Sequence, residues 1–184
     1  MPRKVYIRSI VSLGESEPDL KGILTPIEAR RLGRLLKRAL WASVKALEQA
    51  AIKNPDAIIT ATDYGCLENS IEFLKGVCEE DGAMMRPVHF MQSTHNTIGS
   101  LIGIRLKCHG YNTTYSHRGN SMESALLDAW LQISQGNIDN ALVGWYDESA
   151  GGISREHALA MVLTSNPDSA IQEIRPPFNI EEYA

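Results

Sequence analysis

The stretch TYSHRGNSMESALLDAW, residues 114–130, joins an extended segment to a helix through a very short turn. The β-prone residues end at Ser116, and residues 117–119 follow as a turn. Ser121 then precedes an apolar helical pattern and is typical of a helix N-cap. Several enzyme folds place a nucleophile at such an elbow, because the N-terminus of a helix lowers the cost of negative charge. The stretch therefore predicts a strand–turn–helix elbow that is suited to a reactive residue.

Predicted strands alternate with predicted helices on both sides of the elbow. The strands are predicted at 5–13, 57–62, 112–116, 140–146 and 157–165, and the helices at 25–52, 66–78, 95–108 and 121–135. The first helix opens with Thr25, Pro26 and Glu28, the pattern of a capping box. This alternation predicts one α/β domain over residues 1–184, with a mixed, mostly parallel sheet and helices on both faces.

The composition excludes several classes of protein. With 43% hydrophobic and 22% charged residues, the chain is typical of a globular protein. A formal net charge of −4 and a pI near 5.7 argue against a general nucleic-acid binder. No apolar run approaches the ~20 residues of a membrane helix, and Arg8 interrupts the apolar N-terminal stretch, which therefore predicts a strand rather than a signal peptide. We expect a cytoplasmic protein that does not bind nucleic acid and does not span a membrane.

Cysteine and histidine spacing gives no sign of a metal site. Cys66, Cys78 and Cys108 are odd in number and lack CxxC spacing, so neither a disulfide framework nor a zinc site is predicted. The histidines match no HxH or HExxH pattern, and no glycine-rich nucleotide-binding motif is present. We therefore expect no metal and no cofactor.

Five segments of the chain occur in a characteristic order and spacing. They are RRLGRLLKRALWASVKALEQAAI (30–52), AIITATDYGCLENSIEFLKGV (57–77), HNTIGSLIGIRLKCHGYNTTYS (95–116), LLDAWLQISQGNIDNALVGWYDE (126–148) and REHALAMVLTS (155–165). Together they resemble the N-terminal half of the β-ketoacyl-acyl-carrier-protein synthases, the ketosynthases. The resemblance covers nearly the whole chain and implies a half-domain of the thiolase-like fold.

The same resemblance implies a catalytic cysteine at the elbow, which this sequence does not have. Counting back from LLDAW without gaps places that position at Gly119, and a shift of one residue places it at Asn120. Neither side chain can be acylated. The family's two catalytic histidines lie in its C-terminal half, which we expect this chain to lack. The family's activity, 3-oxoacyl-acyl-carrier-protein synthesis, is therefore not expected here.

The leading hypothesis is a catalytically inactive ketosynthase-like half-domain. It would serve as a partner or structural subunit in fatty-acid or polyketide-like synthesis, with aryl-polyene or resorcinol pigments as the first pathways to consider. The alternative is an acyltransferase or thioesterase-like enzyme that uses Ser121, with His117 as its base, or Cys66 at a second strand–turn–helix junction. Against this alternative, serine often caps helices and free cysteine is commonly buried.

A cluster of basic residues lies within the long helix predicted at 25–52. Its members are Arg30, Arg31, Arg34, Lys37 and Arg38. The ketosynthase resemblance implies that such residues dock an acidic acyl carrier protein, which makes a carrier-binding module a third hypothesis. The other interpretation is a solvated helix face whose charges pair with neighbouring carboxylates.

The resemblance also implies a dimer. The strand before the elbow would pair with its two-fold mate through Asn112, Thr113, Thr114 and Tyr115, which are β-prone. The helix predicted at 121–135 has an apolar surface wider than a single stripe, and part of that surface needs a cover. We expect the isolated protein to be a homodimer, and a full-length ketosynthase is the alternative partner.

Overall fold

A six-stranded sheet forms the centre of the computed structural model, which describes residues 2–14, 16–79, 86–149, 152 and 156–183. The strands β1 to β6 are Tyr6–Leu13, Ala57–Ala61, Tyr111–Tyr115, Asn140–Asp147, His157–Thr164 and Gln172–Glu173. The helices α1 to α6 are Pro26–Arg31, Arg34–Ala50, Leu67–Glu79, Pro87–Met91, Thr97–Leu106 and Ser121–Ser134. A short 3-10 turn follows at Ile180–Glu182.

The strand order across the sheet is β3-β2-β4-β5-β1-β6. β2 pairs in parallel with β3 and with β4, while the three remaining pairings are antiparallel. The predicted α/β fold with a mixed sheet is therefore confirmed, but the prediction of a mostly parallel sheet is wrong. The segment between β4 and β5, residues 148–156, is shorter than the dozen or so residues that a parallel crossover needs, so the chain turns back on itself.

Helices cover both faces of the sheet, as predicted. On one face, α2 and α5 pack against a core that includes Ile58 and Leu142. On the other face, α6 packs against a second core that includes Ile59 and Val143. Neighbouring residues of a strand point to opposite faces, so β2, which is buried along its whole length, contributes to both cores.

The single helix predicted over 25–52 is two helices. The capping box is present, since the Thr25 hydroxyl accepts the Glu28 N–H at 3.3 Å and the Glu28 carboxylate accepts the Thr25 N–H at 2.7 Å. The first helix ends at Arg31, and Gly33 is the N-cap of the second. The Gly33 N–H donates to the side chain of Gln92 at 3.1 Å, a contact between segments far apart in sequence. The helical period is maintained across the break, which is why the sequence pattern did not reveal it.

The apolar surface of α6 is narrower than expected. Residues 174–183 lie against the same core, and the Trp130 indole N–H donates to the Ile174 carbonyl at 3.1 Å. Leu127 and Leu131 remain 43% and 39% exposed. Of the apolar surface that was expected to need a cover, those two leucines are the part that the described chain leaves exposed. Among the described residues, none of the helices is both long enough and apolar enough to cross a lipid bilayer.

Candidate functional site

Three segments meet where the parallel strands end, at their carboxyl ends. β2, β3 and β4 are parallel neighbours, so the segments that follow them, 62–66, 116–120 and 147–149, lie at the same edge. In open α/β sheets, ligands bind at the carboxyl ends of such strands. The elbow predicted from residues 114–130 therefore lies where a site would be expected.

The elbow is present, but its N-cap is not the predicted residue. Asn120 is the N-cap, and Ser121 is the first residue of α6. Gly119 has a φ of +102°, a conformation that side chains rarely adopt, and a side chain added there would meet no atom within 4 Å. The vacant position inferred at Gly119 or Asn120 thus lies at an open turn that ends against a helix.

Ser121 is poorly placed to act as a nucleophile. Its side chain is buried, and its hydroxyl oxygen lies 2.5 Å from Oδ1 of Asp63. The contact with His117 is made by the His117 backbone N–H, which donates to the Ser121 hydroxyl at 3.0 Å. The His117 ring instead stacks on Tyr115, with 5.9 Å between ring centroids. The structure therefore does not bring Ser121 and His117 together as a nucleophile and its base.

Asp63, which no sequence motif marks, is hydrogen-bonded to two residues of the elbow. Its Oδ1 accepts the Gly119 N–H at 3.0 Å as well as the Ser121 hydroxyl. The Asp63 N–H in turn donates to both carboxylate oxygens of Asp147, each at 3.0 Å. A carboxylate is thus held directly at the turn where a nucleophile would stand.

Asp147 organises the turn that carries Asp63. Its carboxylate also accepts the Thr62 hydroxyl at 2.9 Å and the Tyr64 N–H at 3.0 Å. Burial raises the pKa of Asp147, while these donors and the His157 ring, 3.8 Å away, oppose the rise. With three hydrogen-bonded neighbours in consecutive positions, Asp147 fixes the backbone after β2.

Glu148 connects β4 to two helices. It is 3% exposed and accepts the N–H of Glu68, in the first turn of α3, at 2.7 Å. Burial raises the pKa of Glu148 to about 7, although backbone N–H groups of Glu68 and of Leu35, in the first turn of α2, favour its charged form. A single carboxylate therefore serves the N-termini of both helices.

Cys66 lacks the properties of a reactive thiol. Its side chain is fully buried, and burial raises its pKa to about 12, with the charges of Glu148 and Asp147 adding to the effect. A nucleophilic cysteine needs a lowered pKa and partial exposure. Here desolvation outweighs the nearby N-terminus of α3, so the location predicted for Cys66 is correct but does not activate it.

The basic cluster is divided between two roles. Arg38 is fully buried: its guanidinium donates to the carbonyls of Leu13, Gly14 and Ser16 and pairs with Glu156 at 3.0 Å. The prediction that Arg38 binds a partner at the surface is therefore wrong, because the loop after β1 surrounds it. It holds that loop in place.

The other basic residues are more accessible. Arg34 pairs with Glu17 at 2.7 Å and with Glu156 at 2.8 Å, and Lys37 is half-buried. Arg30 and Arg31 are exposed in the last turn of α1. Because α1 and α2 are separate helices, the five residues do not share a single helix face.

The predicted dimer strand, β3, lies at an edge of the sheet. Among the described strands it pairs with β2 alone. The Asn112 side chain donates to the Gly99 carbonyl at 3.0 Å, and the Thr114 hydroxyl lies 2.8 Å from that of Thr60. These contacts attach β3 to α5 and β2 while its other edge has no strand partner within the described chain.

No group of three or more His, Cys, Asp or Glu residues in the described part of the chain is arranged to hold a metal. The acidic residues that matter at this edge are Asp63, Asp147 and Glu148. Asp63 and Asp147 directly follow predicted strands and Glu148 comes next after Asp147, and that position is the signal that the sequence offered.

Comparison with known proteins places these features in a family. No curated protein sequence matches the chain. A solved structure of a ketosynthase (ApeO) in complex with its chain length factor (ApeC) from Xenorhabdus doucetiae matches with a TM-score of 0.73 and 18% identity, covering 88% of this chain and 79% of that one. The ishigamide ketosynthase/chain length factor matches with a TM-score of 0.73 and 16% identity, covering 92% and 64%.

A β-ketoacyl synthase from Burkholderia phymatum matches with a TM-score of 0.72 and 14% identity, covering 91% of this chain and 60% of that one. The chain thus spans less than two thirds of the length of the last two structures. At these identities the likeness establishes the thiolase-like ketosynthase fold. The family model for the β-ketoacyl synthase N-terminal domain matches residues 9–173, and the chain therefore belongs to that family.

Proposed function

We propose that the chain is a non-catalytic ketosynthase-like subunit that works beside a ketosynthase in fatty-acid or polyketide-like synthesis. The observation that carries this proposal is the elbow itself, where Gly119 and Asn120 offer no nucleophile and Asp63 binds the Gly119 N–H. Acyl transfer requires both a nucleophile and free donors for the oxyanion. Two compared structures pair a ketosynthase with a chain length factor, which supports a role as one member of a pair.

The enzyme alternative has less support. Ser121 is buried and bound to a carboxylate, and Cys66 is buried with a raised pKa. Both side chains are buried, so neither offers an open approach to a thioester. Within the proposed function, an aryl-polyene or resorcinol pigment pathway remains the more specific hypothesis.

Acylation of the purified chain tests the proposal that this subunit is non-catalytic. We expect incubation with malonyl- and acyl-thioesters to leave its intact mass unchanged, while an active ketosynthase treated in parallel gains the acyl mass. A stable adduct mapped to Ser121 or Cys66 would contradict the proposal and favour the enzyme. Co-purification from the source cells would then show whether a ketosynthase is the partner.

The partner would bind along β3. Tyr111, at the start of this edge strand, is 42% exposed, and Leu127 and Leu131 of α6 are exposed as well. α6 packs against β3, and burial together with the nearby Asp128 carboxylate raises the pKa of Tyr115 to about 12. An unpaired strand beside exposed leucines is a surface that pairing with a second chain would cover.

Sedimentation velocity tests this interface. Leu131→Arg should shift the isolated protein from dimer towards monomer, because it places a charge in the interface. Ile171→Arg is the matched control, since Ile171 is a 60% exposed apolar residue that precedes β6 near the opposite edge of the sheet. A wild-type chain that is monomeric at tens of micromolar would exclude the homodimer and leave the ketosynthase as the partner to test.

Carrier docking is a second function with one favourable observation. Arg31 and Lys107 line an open cavity of about 350 Å³ whose other walls include Leu101 and Ile104. Arg31→Glu should weaken binding of an acyl carrier protein at low salt, and wild-type binding should fall steeply as salt rises. Lys53→Glu reverses an exposed charge beyond the end of α2 and should leave binding unchanged. Absence of wild-type binding at low salt would leave Arg31 as an ordinary solvated charge.

A further inference from the structure

The Asp63 carboxylate accepts the N–H group of Gly119, the elbow residue where the family's nucleophile would stand. Its Oδ1 lies 3.0 Å from the Gly119 nitrogen and 2.5 Å from the Ser121 hydroxyl oxygen. Donors at about 3 Å from an anionic oxygen are the arrangement that stabilises an oxyanion. In this chain, the anion bound by the elbow N–H group belongs to the chain itself.

Hydrogen bonds fix both the backbone and the side chain of Asp63. The backbone N–H donates to the two oxygens of Asp147, and the side chain is bound by Gly119 and Ser121. Asp147 is buried at the end of β4, which pairs in register with β2. The carboxylate is therefore positioned by the central strands of the sheet rather than by a loop alone.

We propose that Asp63 is a built-in occupant of the elbow, which suppresses any nucleophile at this turn independently of the missing cysteine. The inference rests on the proposed function, because it concerns the same elbow. A carboxylate next to a thiol raises the thiol pKa and so lowers the thiolate fraction. The same negative charge repels a developing oxyanion. Restoring a cysteine alone would then not restore a reactive site.

A cysteine introduced at the elbow tests this inference. Gly119→Cys would be made in a background where the exposed Cys78 is replaced by serine, with and without Asp63→Asn. Asn retains an amide oxygen that can accept the same hydrogen bonds but removes the charge. The rate of alkylation by iodoacetamide at residue 119 would be followed by peptide mass against pH. We expect Asp63→Asn to lower the thiol pKa by about one unit and to raise the rate near pH 7 about tenfold.

Two further variants keep the test decisive. Glu123→Gln removes a carboxylate from the first turn of the same helix and should change the rate less than about twofold, since its charge is not held at the Gly119 N–H. Asn120→Cys places the thiol at a residue with φ of −121°, where the backbone is unstrained, and covers the case in which Gly119→Cys does not fold. Far-UV circular dichroism would establish folding of each variant.

Equal alkylation rates with Asp63 and with Asn at position 63, in a folded cysteine variant, would overturn the inference. So would an effect of Glu123→Gln as large as that of Asp63→Asn. Acylation of the unmodified chain by thioesters would instead overturn the proposed function. The two failures are distinguishable, because the first concerns introduced thiols and the second concerns the natural side chains.

Discussion

Replacing Glu148 with Gln should reduce the dependence of stability on pH between about 4.5 and 7. Glu148 is buried at the end of β4, and burial raises its pKa from 4.5 to about 7. An acid whose pKa is raised in the folded state stabilises the fold while it is protonated. That stabilisation is complete below the unfolded-state value and is lost as the pH rises through 7. The difference between the two pKa values corresponds to about 3 kcal/mol in the free energy of unfolding.

Urea unfolding at a series of pH values, followed by far-UV circular dichroism, measures this effect. Between pH 4.5 and 8 the wild type should lose about 3 kcal/mol more than Glu148→Gln. Some dependence on pH should remain in the variant, because burial also raises the pKa of Asp147. Glu181→Gln, which replaces an exposed carboxylate, should behave as the wild type. Parallel pH profiles for the wild type and Glu148→Gln would refute the reasoning.

Three other substitutions or treatments follow from single contacts. Arg38→Ala should cost about 3–5 kcal/mol in urea unfolding, because it leaves the carbonyls of Leu13 and Ser16 without their donor, while Glu156 keeps Arg34 as its cation. Gly110→Ala should cost about 1–3 kcal/mol by the same measurement, since an added Cβ would overlap the Asp56 carbonyl, and an unchanged midpoint would show that the strand start shifts freely. Iodoacetamide should modify the exposed Cys78 in the native protein and reach Cys66 only after unfolding, as peptide mass spectrometry would show.

Local patterns in the sequence were sufficient to predict most of the helices and strands. The capping box at Thr25, the doubly buried strand β2 and the elbow before α6 each depend on residues close together in the chain. The break at Gly33 does not, because its partner Gln92 is the residue that follows α4, far away in the sequence. Periodicity continues through that break, so nothing local marks it.

At the elbow, too, some features depend on local sequence and others on distant contacts. The identity of the two residues at the turn, Gly119 and Asn120, could be read from the sequence, and the prediction that this turn carries no nucleophile rests on them. The contact of Asp63 with this turn could not be predicted. It depends on how β2 aligns with β4 and on the three donors that Asp147 binds. Long-range register, rather than composition, decides which carboxylate reaches the turn.

The basic cluster shows how identical residue types separate by burial. Arg31 and Arg38 look equivalent in the sequence, yet Arg31 is exposed and Arg38 is buried against the carbonyls of Leu13, Gly14 and Ser16. The resemblance to ketosynthases implied a docking role for both. The loop that encloses Arg38 lies in a segment without periodic pattern, so its path could not be predicted from the sequence.

The position of β1 in the sheet has a consequence for how the chain folds during synthesis. β1 lies between β5 and β6, and its pairing with β5 joins Tyr6 to Thr164 across the intervening helices α1 to α6. A ribosome therefore releases β1 well before either of its partners exists, and the apolar side chains of the strand stay without cover for that interval. Closing so long a loop also slows folding relative to pairing between sequence neighbours. We expect the nascent chain to depend on chaperones until β5 emerges, and truncation before β5 to yield an aggregation-prone fragment rather than a smaller stable domain.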